Sequence, residues 1–326
     1  MKRLGRRFLH LAGPAAAVAV LSATLSSHAA WSQTTRTVKV VVPFSAGGPV
    51  DLLARLMAEQ IGRGKILTMA VENRPGAGAV IGTEAVARAA PDGNTVLITG
   101  NSLLINPHLR KVNFDPLTSF EPICLLASQP IFITVNGSSL YRTLADLLGT
   151  AHGKPGLTLA SLPGGPFQIA FEMLKRSAKI DLTFVPFGGT APAVNALLGD
   201  HVTSALVNYS VVAELLTTGK LRALAIFSRE RIELQPDVPT LFESGYKDIE
   251  VEGWVGVVAP AKTPKEAVSQ FADLFTAAMG TPEIKAKLIA QGLNPVTTCG
   301  TEFATYLRKQ YDDYGRVIRE ANIKAE

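Results

Sequence analysis

Charge is scarce in this chain. Of its 326 residues, 18% are charged and 47% are hydrophobic. That balance excludes a disordered polyelectrolyte and supplies apolar surface for a large core. Cysteine is rarer still, with only Cys124 and Cys299. Their spacing fits no zinc motif; they fit equally a disulfide in an exported protein or two small buried apolar residues. Beyond the first thirty residues the histidines are His108, His152 and His201, far apart and with no cysteine beside them. A metal centre is therefore not expected, and no other cofactor is implied. There is no G-x-S-x-G elbow and no Walker loop. No basic stripe interleaved with aromatics occurs, so nucleic acid is not an expected partner.

Residues 1–30 stand apart. They have a basic start at Lys2, Arg3, Arg6 and Arg7, an apolar middle, and small residues at Ser27, Ala29 and Ala30. That is the pattern of an export signal cleaved near Ala29 or Ala30, which places the mature chain in the periplasm. Pro14, Ser22, Thr24, Ser26 and Ser27 dilute the apolar run below what a membrane span needs. With this segment set aside, the formal net charge falls from +5 to +1.

Through the rest of the chain, short apolar runs alternate with amphipathic ones. Strands are expected near residues 37–44, 66–71, 95–99, 157–161, 182–187, 202–207, 221–227 and 254–260. Helices are expected near 50–61, 80–90, 143–151, 167–177 and 192–198. The alternation predicts βαβ units and parallel sheets. Two strand-like runs follow each other directly at 120–127 and 131–136, where the chain could cross between two α/β lobes; 254–260 is the candidate return. After Thr263 only helices are expected, near 264–279, 282–291 and 302–321. The expected organisation is a leader at 1–30, a first lobe of 36–132 with 255–326, and a second lobe of 133–254.

The segment VPFSAGGPVD, residues 42–51, carries the first functional expectation. An apolar strand ends at Pro43, two glycines follow, and Pro49 suits a first helical position. The unpaired N–H groups of that helix would lie over Ser45–Gly48, with no side chain in the way, which suits an anion. VPFGGTA at 185–191 repeats the design. Both loops also fit ordinary tight βα turns. Asp51 is either a dipole partner in the first turn or a receiver for a ligand ammonium group. RPGAGAVIG at 74–82 approaches a dinucleotide fingerprint through Gly76, Gly78 and Gly82. Glu72-Asn73-Arg74-Pro75 separates it from its strand, so a turn near the cleft is expected instead. Small polar residues also follow the strands at Ser102, Ser161 and Asn208, where open α/β sheets place ligands, although each could cap a helix instead.

These blocks, with PFSAGGPVDLLARLMAEQ, VENRPGAGAVIGTEAVARAAPDG, VPFGGTAPAVNALLG, GKLRALAI, PDVPTLFESG and GWVGVVAPAKTP in order, resemble the substrate-binding proteins of tripartite tricarboxylate transporters, the Bug-type receptors. The resemblance implies an α/β, two-lobed periplasmic-binding-protein fold of the type II-like Venus-flytrap kind, with two interdomain crossings. It implies a receptor that captures a small organic carboxylate and delivers it to the membrane permease subunits; a monomer is expected. An exported α/β enzyme for a carboxylated metabolite, or a sensory receptor for a membrane kinase, are the alternatives. The candidate ligand residues are Phe44, Ser45, Ala46, Gly47, Gly48 and Asp51 in the first loop. Others are Ser102, Ser161, Gly165, Gln168, Gly189, Thr190 and Asn208. The chain departs from the family's pattern at Ser45-Ala46, Gln168, Phe187, Gly188 and Asn195, where prolines, histidine, tyrosine, lysine and aspartate are frequent. Arg74 is the basic residue nearest in sequence to a glycine turn of the expected cleft, and Phe44, Phe167 and Phe187 flank the loops. The expected ligand is thus a monocarboxylate or an apolar-bodied acid rather than citrate.

Overall fold

The computed structural model of the chain describes residues 36–64, 67–153, 156–163 and 165–324. The expected leader, the start of the strand read from residue 66, and Gly164 lie outside them.

β1 (Arg36–Val42) ends in three fully buried valines, as suits a parallel strand covered on both faces. It pairs in parallel with β2 (Leu67–Asn73) on one side and β3 (Thr95–Gly100) on the other. Helix α1 (Pro49–Arg63) follows β1 and buries Leu53, Ala54, Met57 and Ile61 along one stripe. Helices α2 (Val80–Ala87) and α3 (Ser102–Leu109) follow β2 and β3. Three later strands complete this sheet: β4 (Phe120–Gln129), β10 (Gly253–Pro260) and β11 (Asn294–Cys299), in the order β11-β4-β10-β3-β1-β2. β10 runs antiparallel to both β3 and β4.

The second sheet holds β5 (Ile131–Asn136), β6 (Leu157–Ser161), β7 (Leu182–Pro186), β8 (Ser204–Asn208) and β9 (Leu221–Ile226), in the order β7-β6-β8-β5-β9. Its helices are α4 (Leu144–Gly153), α5 (Gly165–Ala178), α6 (Thr190–Leu198) and α7 (Tyr209–Thr217). Between β4 and β5 stands only Pro130, whose missing N–H ends one ladder before the other begins. The chain returns to the first sheet at Gly253 and ends with α8 (Lys265–Met279), α9 (Pro282–Ala290) and α10 (Thr301–Glu320). The last helix buries Phe303, Leu307, Tyr314, Val317 and Ile318. Arg176 on α5 reaches Glu320 on α10 at 2.9 Å.

The strand β11 departs from the all-helical ending expected after Thr263. NPVTTC is half-buried and has no apolar alternation. Its pairing with β4 is irregular between Pro295 and Thr298, as befits a proline-bearing edge strand. What fixes it is covalent: Cys299 is disulfide-bonded to the fully buried Cys124 on β4. This settles the alternatives left open for the cysteines.

The bond spans a sequence separation of 175 residues, so its loss should release much chain entropy on unfolding. The double variant Cys124→Ala/Cys299→Ala is expected to lose about 2–5 kcal/mol of stability in denaturant unfolding. Unchanged stability under oxidising conditions would show that β11 is held by packing alone.

Candidate functional site

A cavity of ≈ 730 Å³ opens where β1, β3, β6 and β8 end. This is the carboxyl edge of the parallel strands, where open α/β sheets bind ligands. Four helices begin at its wall. Gly48, Pro49 and Val50 open α1; Asn101 and Ser102 open α3; Gly165 and Pro166 open α5; Asn208 precedes α7. Each start presents N–H groups without intrahelical partners and the positive end of a helix dipole. Neither Gly48, Asn101 nor Asn208 makes a side-chain cap bond. The remaining wall is largely apolar, with Phe44, Ile105, Ile131, Leu162, Phe167 and Trp254.

The first loop is held from beneath by Asp51, which is 3% exposed. Its Oδ2 accepts from the Gly47 N–H at 2.9 Å and from Arg55 Nε at 3.0 Å. Its Oδ1 accepts from Asn73 Nδ2 at 2.9 Å, and the same amide donates to the Phe44 carbonyl at 3.1 Å. Burial pushes the Asp51 carboxyl up, but the bonds from Arg55, Gly47 and Asn73 outweigh burial and hold it below the usual carboxylate range. Gly47 sits at φ +88°, so its lack of a side chain is a requirement of the turn. Gly48, at φ −80°, has no such need.

Helix α3 gives one whole face to the cavity: Ser102, Ile105, Asn106 and Leu109, with Arg110 just past its end. That is the i, i+3, i+4, i+7, i+8 spacing of a helical stripe. Opposite this stripe lies the turn Gly76–Ala79, where all four residues have positive φ, including Ala77 at 48° and Ala79 at 80°. Such backbone is costly for alanine, by roughly 1–2 kcal/mol per residue. It aims two carbonyls at α3: Asn106 Nδ2 donates to Gly78 O at 2.7 Å, and Arg110 Nη1 reaches Ala77 O at 3.5 Å. Ser102 Oγ, Arg110 Nε and Trp254 Nε1 are buried without a protein partner among the described residues.

Of the sequence-predicted residues, Phe44, Ser45, Ala46, Gly48, Ser102, Gly165 and Asn208 line the cavity together. Gly47 and Asp51 support the lining from behind. Ser161 is fully buried, and its Oγ donates to the Leu206 carbonyl at 3.3 Å, a pin between strands. Gln168 lies half-buried on α5, next to the lining residue Phe167. Gly189 and Thr190, at the start of α6, are not among the lining residues; the facing helix starts are those of α5 and α7. Arg74 pairs with Glu72 and is also outside the lining, and Phe187 is absent from it. The cations that do line the cavity are Arg110 and Lys324, and neither drew notice in the sequence. Arg110 was within reach of a periodicity argument that starts from Ser102. Asn73 was not, because its role depends on the register Val42↔Asn73 between β1 and β2.

The family model described as "Tripartite tricarboxylate transporter family receptor" matches residues 53–323. A TctC solute-binding protein from Polaromonas, solved without ligand, is 27% identical with a TM-score of 0.82, covering 88% of this chain and 99% of that one. MatC from Rhodopseudomonas palustris, with bound malate, is 28% identical with a TM-score of 0.67, covering 87% and 99%. A second R. palustris protein, with adipate, is 28% identical with a TM-score of 0.71, covering 90% and 99%.

Asp51→Asn puts an amide where three donors converge and should cost about 1–3 kcal/mol in urea unfolding at pH 7. The native pKa of Asp51 is depressed, so its contribution is complete above the unfolded value near ~3.9 and is lost as pH falls through the native value. The gap between wild type and Asp51→Asn should therefore shrink in acid. A gap that stays constant down to about pH 2 would show that the carboxylate charge is not what stabilises the loop.

Proposed function

The chain belongs to the tripartite tricarboxylate transporter receptor family, and we propose that it captures a small organic carboxylate in this cavity in the periplasm and delivers it to a membrane permease. The observation that carries the reading is the meeting of four helix starts at a mostly apolar wall that, among the described residues, contains no Asp or Glu. Such a wall favours an anion through fixed backbone donors and gives apolar contact to its carbon skeleton. Charge-assisted hydrogen bonds are worth roughly 1.5–3 kcal/mol each. Several of them, with apolar burial, reach the approximately 8 kcal/mol of micromolar binding. Among the described residues the lining also contains no His or Cys, so none of them stands as a general base beside Ser45 and Ser102. That favours capture over turnover. The malate and adipate carried by two related structures agree in ligand class.

Closure follows from the same reading. The strands β1–β4, β10 and β11 form one lobe and β5–β9 the other, with Pro130 and the residues before Gly253 as crossings. Small-angle scattering should show the radius of gyration fall when a bound carboxylate saturates the protein. An unchanged radius would mean a rigid pocket.

Gly48→Val tests the site itself. A Cβ at Gly48 would meet nothing closer than the Ser45 carbonyl at 3.9 Å, so the fold should tolerate it. The added methyls would stand at the lining, in the path of a ligand carboxylate. In a thermal-shift and calorimetry panel of mono-, di- and tricarboxylates, wild type is expected to bind at least one acid. Gly48→Val should keep its melting point in the absence of ligand and bind at least tenfold more weakly. No binding of any carboxylate by wild type would overturn the proposal.

A further inference from the structure

Among the described residues, the cavity lining carries two cations, Arg110 and Lys324, and no acid to neutralise them. Arg110 differs from the arginines nearby. Arg55, Arg74 and Arg88 each pair with a carboxylate of the same chain. Arg110 has no ion pair among the described residues; its one bond is the 3.5 Å contact with Ala77 O, and its Nε is buried and unpartnered. The Gly76–Ala79 turn lies beside the guanidinium: a Cβ on Gly78 would stand at ordinary contact distance, 3.6 Å from Arg110 Nη1. A left-handed glycine thus stands near a cation at the cavity wall, with three neighbours also at positive φ.

The position of that cation is set by α3. Ser102 stands at the start of the helix, beside the other helix starts, and Arg110 stands eight residues on along the same face. The seven helical steps from Ser102 to Leu109 correspond to an axial rise of about 10 Å, and Arg110 follows in extended backbone. The cavity is therefore bipolar in a particular sense. One end offers backbone donors and dipoles; the other offers a guanidinium without an ion pair among the described residues; the wall between them contains Ile105 and Leu109.

Resting on the reading of this cavity as the carboxylate site, we infer that Arg110 is the specificity-determining residue that takes the second carboxylate of a dicarboxylate whose first is held by the Ser45–Gly48 loop. Guanidinium matches carboxylate in a two-bond geometry that an amide or ester cannot reproduce. With a monoacid, closure would leave the guanidinium buried and unpaired. Lys324 lies near the end of the described chain and is exposed, so its influence on the ratio of diacid to monoacid is small.

The test compares each diacid with its own half-ester, which keeps length and one carboxylate and removes one charge. Calorimetry on the purified chain would use succinate, glutarate, adipate and terephthalate beside their monomethyl esters. For whichever skeleton binds best, the diacid is expected to exceed the half-ester by about 10- to 100-fold. Arg110→Gln should bring that ratio close to one while half-ester affinity does not fall; Arg110→Lys should retain part of the ratio. Lys324→Gln should leave it nearly unchanged. Equal binding of diacid and half-ester by wild type overturns the inference without any variant and leaves carboxylate capture standing. A ratio that survives Arg110→Gln, or that depends on Lys324 instead, overturns it as well. If no diacid and no half-ester bind, both the inference and the reading beneath it fall.

Discussion

Three donors meet at one buried carboxylate. Gly47 N–H, Arg55 and Asn73 converge on Asp51, and through them the end of β1, the end of β2 and the first turn of α1 become one rigid corner. Asn73 completes the corner by holding the Phe44 carbonyl. The loop over this corner can leave its own surface bare because the support lies behind it. Without the Asp51 clamp, the left-handed turn at Gly47 would have to be maintained by loop residues alone, and Ser45–Gly48 would have many conformations to lose on binding. The proposed anion site thus depends on an anion of the protein, buried, paired and outside the cavity lining, where it cannot repel a ligand directly.

The parts of the fold that sequence carried well are those whose pattern is local. The valine run of β1, the glycine break and the amphipathic stripe of α1 appear in one stretch, and the structure has them in that order. β4 followed at once by β5 was likewise visible, because two strand-like runs with no helix between them cannot form a βαβ unit. β11 was not visible. NPVTTC has neither alternation nor an apolar run, and its place depends on a disulfide partner far away in the chain. The two-lobed α/β architecture expected from the family resemblance agrees with the two sheets and with the related structures.

The site divides in the same way. Glycine loops are easy to find, but which of them reach one cavity is a question of topology. VPFSAGG and VPFGGTA look alike, yet β7 is an edge strand of its sheet, and the residues after it are not among the lining; the loops after the inner strands β6 and β8 are. Among the described residues, the first copy of the motif stands at the cavity lining and the second does not. Arg74, next to a glycine turn, drew attention as a cation, whereas Arg110 lay unremarked at the end of a helix read only at its first residue. The chemistry of Arg74 is satisfied by Glu72. The expectation of a cavity poor in basic side chains rested on that choice, and it changes with Arg110 and Lys324 in the lining.

A cavity that combines helix starts with one arginine has a physical logic beyond the sum of its attractions. Backbone N–H groups are fixed before the ligand arrives, so they add little ordering cost on binding. They discriminate poorly, because any carboxylate, whatever its carbon skeleton, presents similar oxygens to them. An arginine held by a strained turn is the complementary device. It adds one further demand, a second carboxylate at a set distance, and it turns absence of that group into a penalty, since closure would bury the cation alone. The strain at Ala77 and Ala79 then has a use: a relaxed turn would withdraw the carbonyls of Ala77 and Gly78 from Arg110 and Asn106, and the guanidinium would be free to swing toward solvent. On this account affinity resides mainly in the Asp51-supported corner and selectivity mainly at the far end of α3. The two are separable because they are built on different strands of the same sheet.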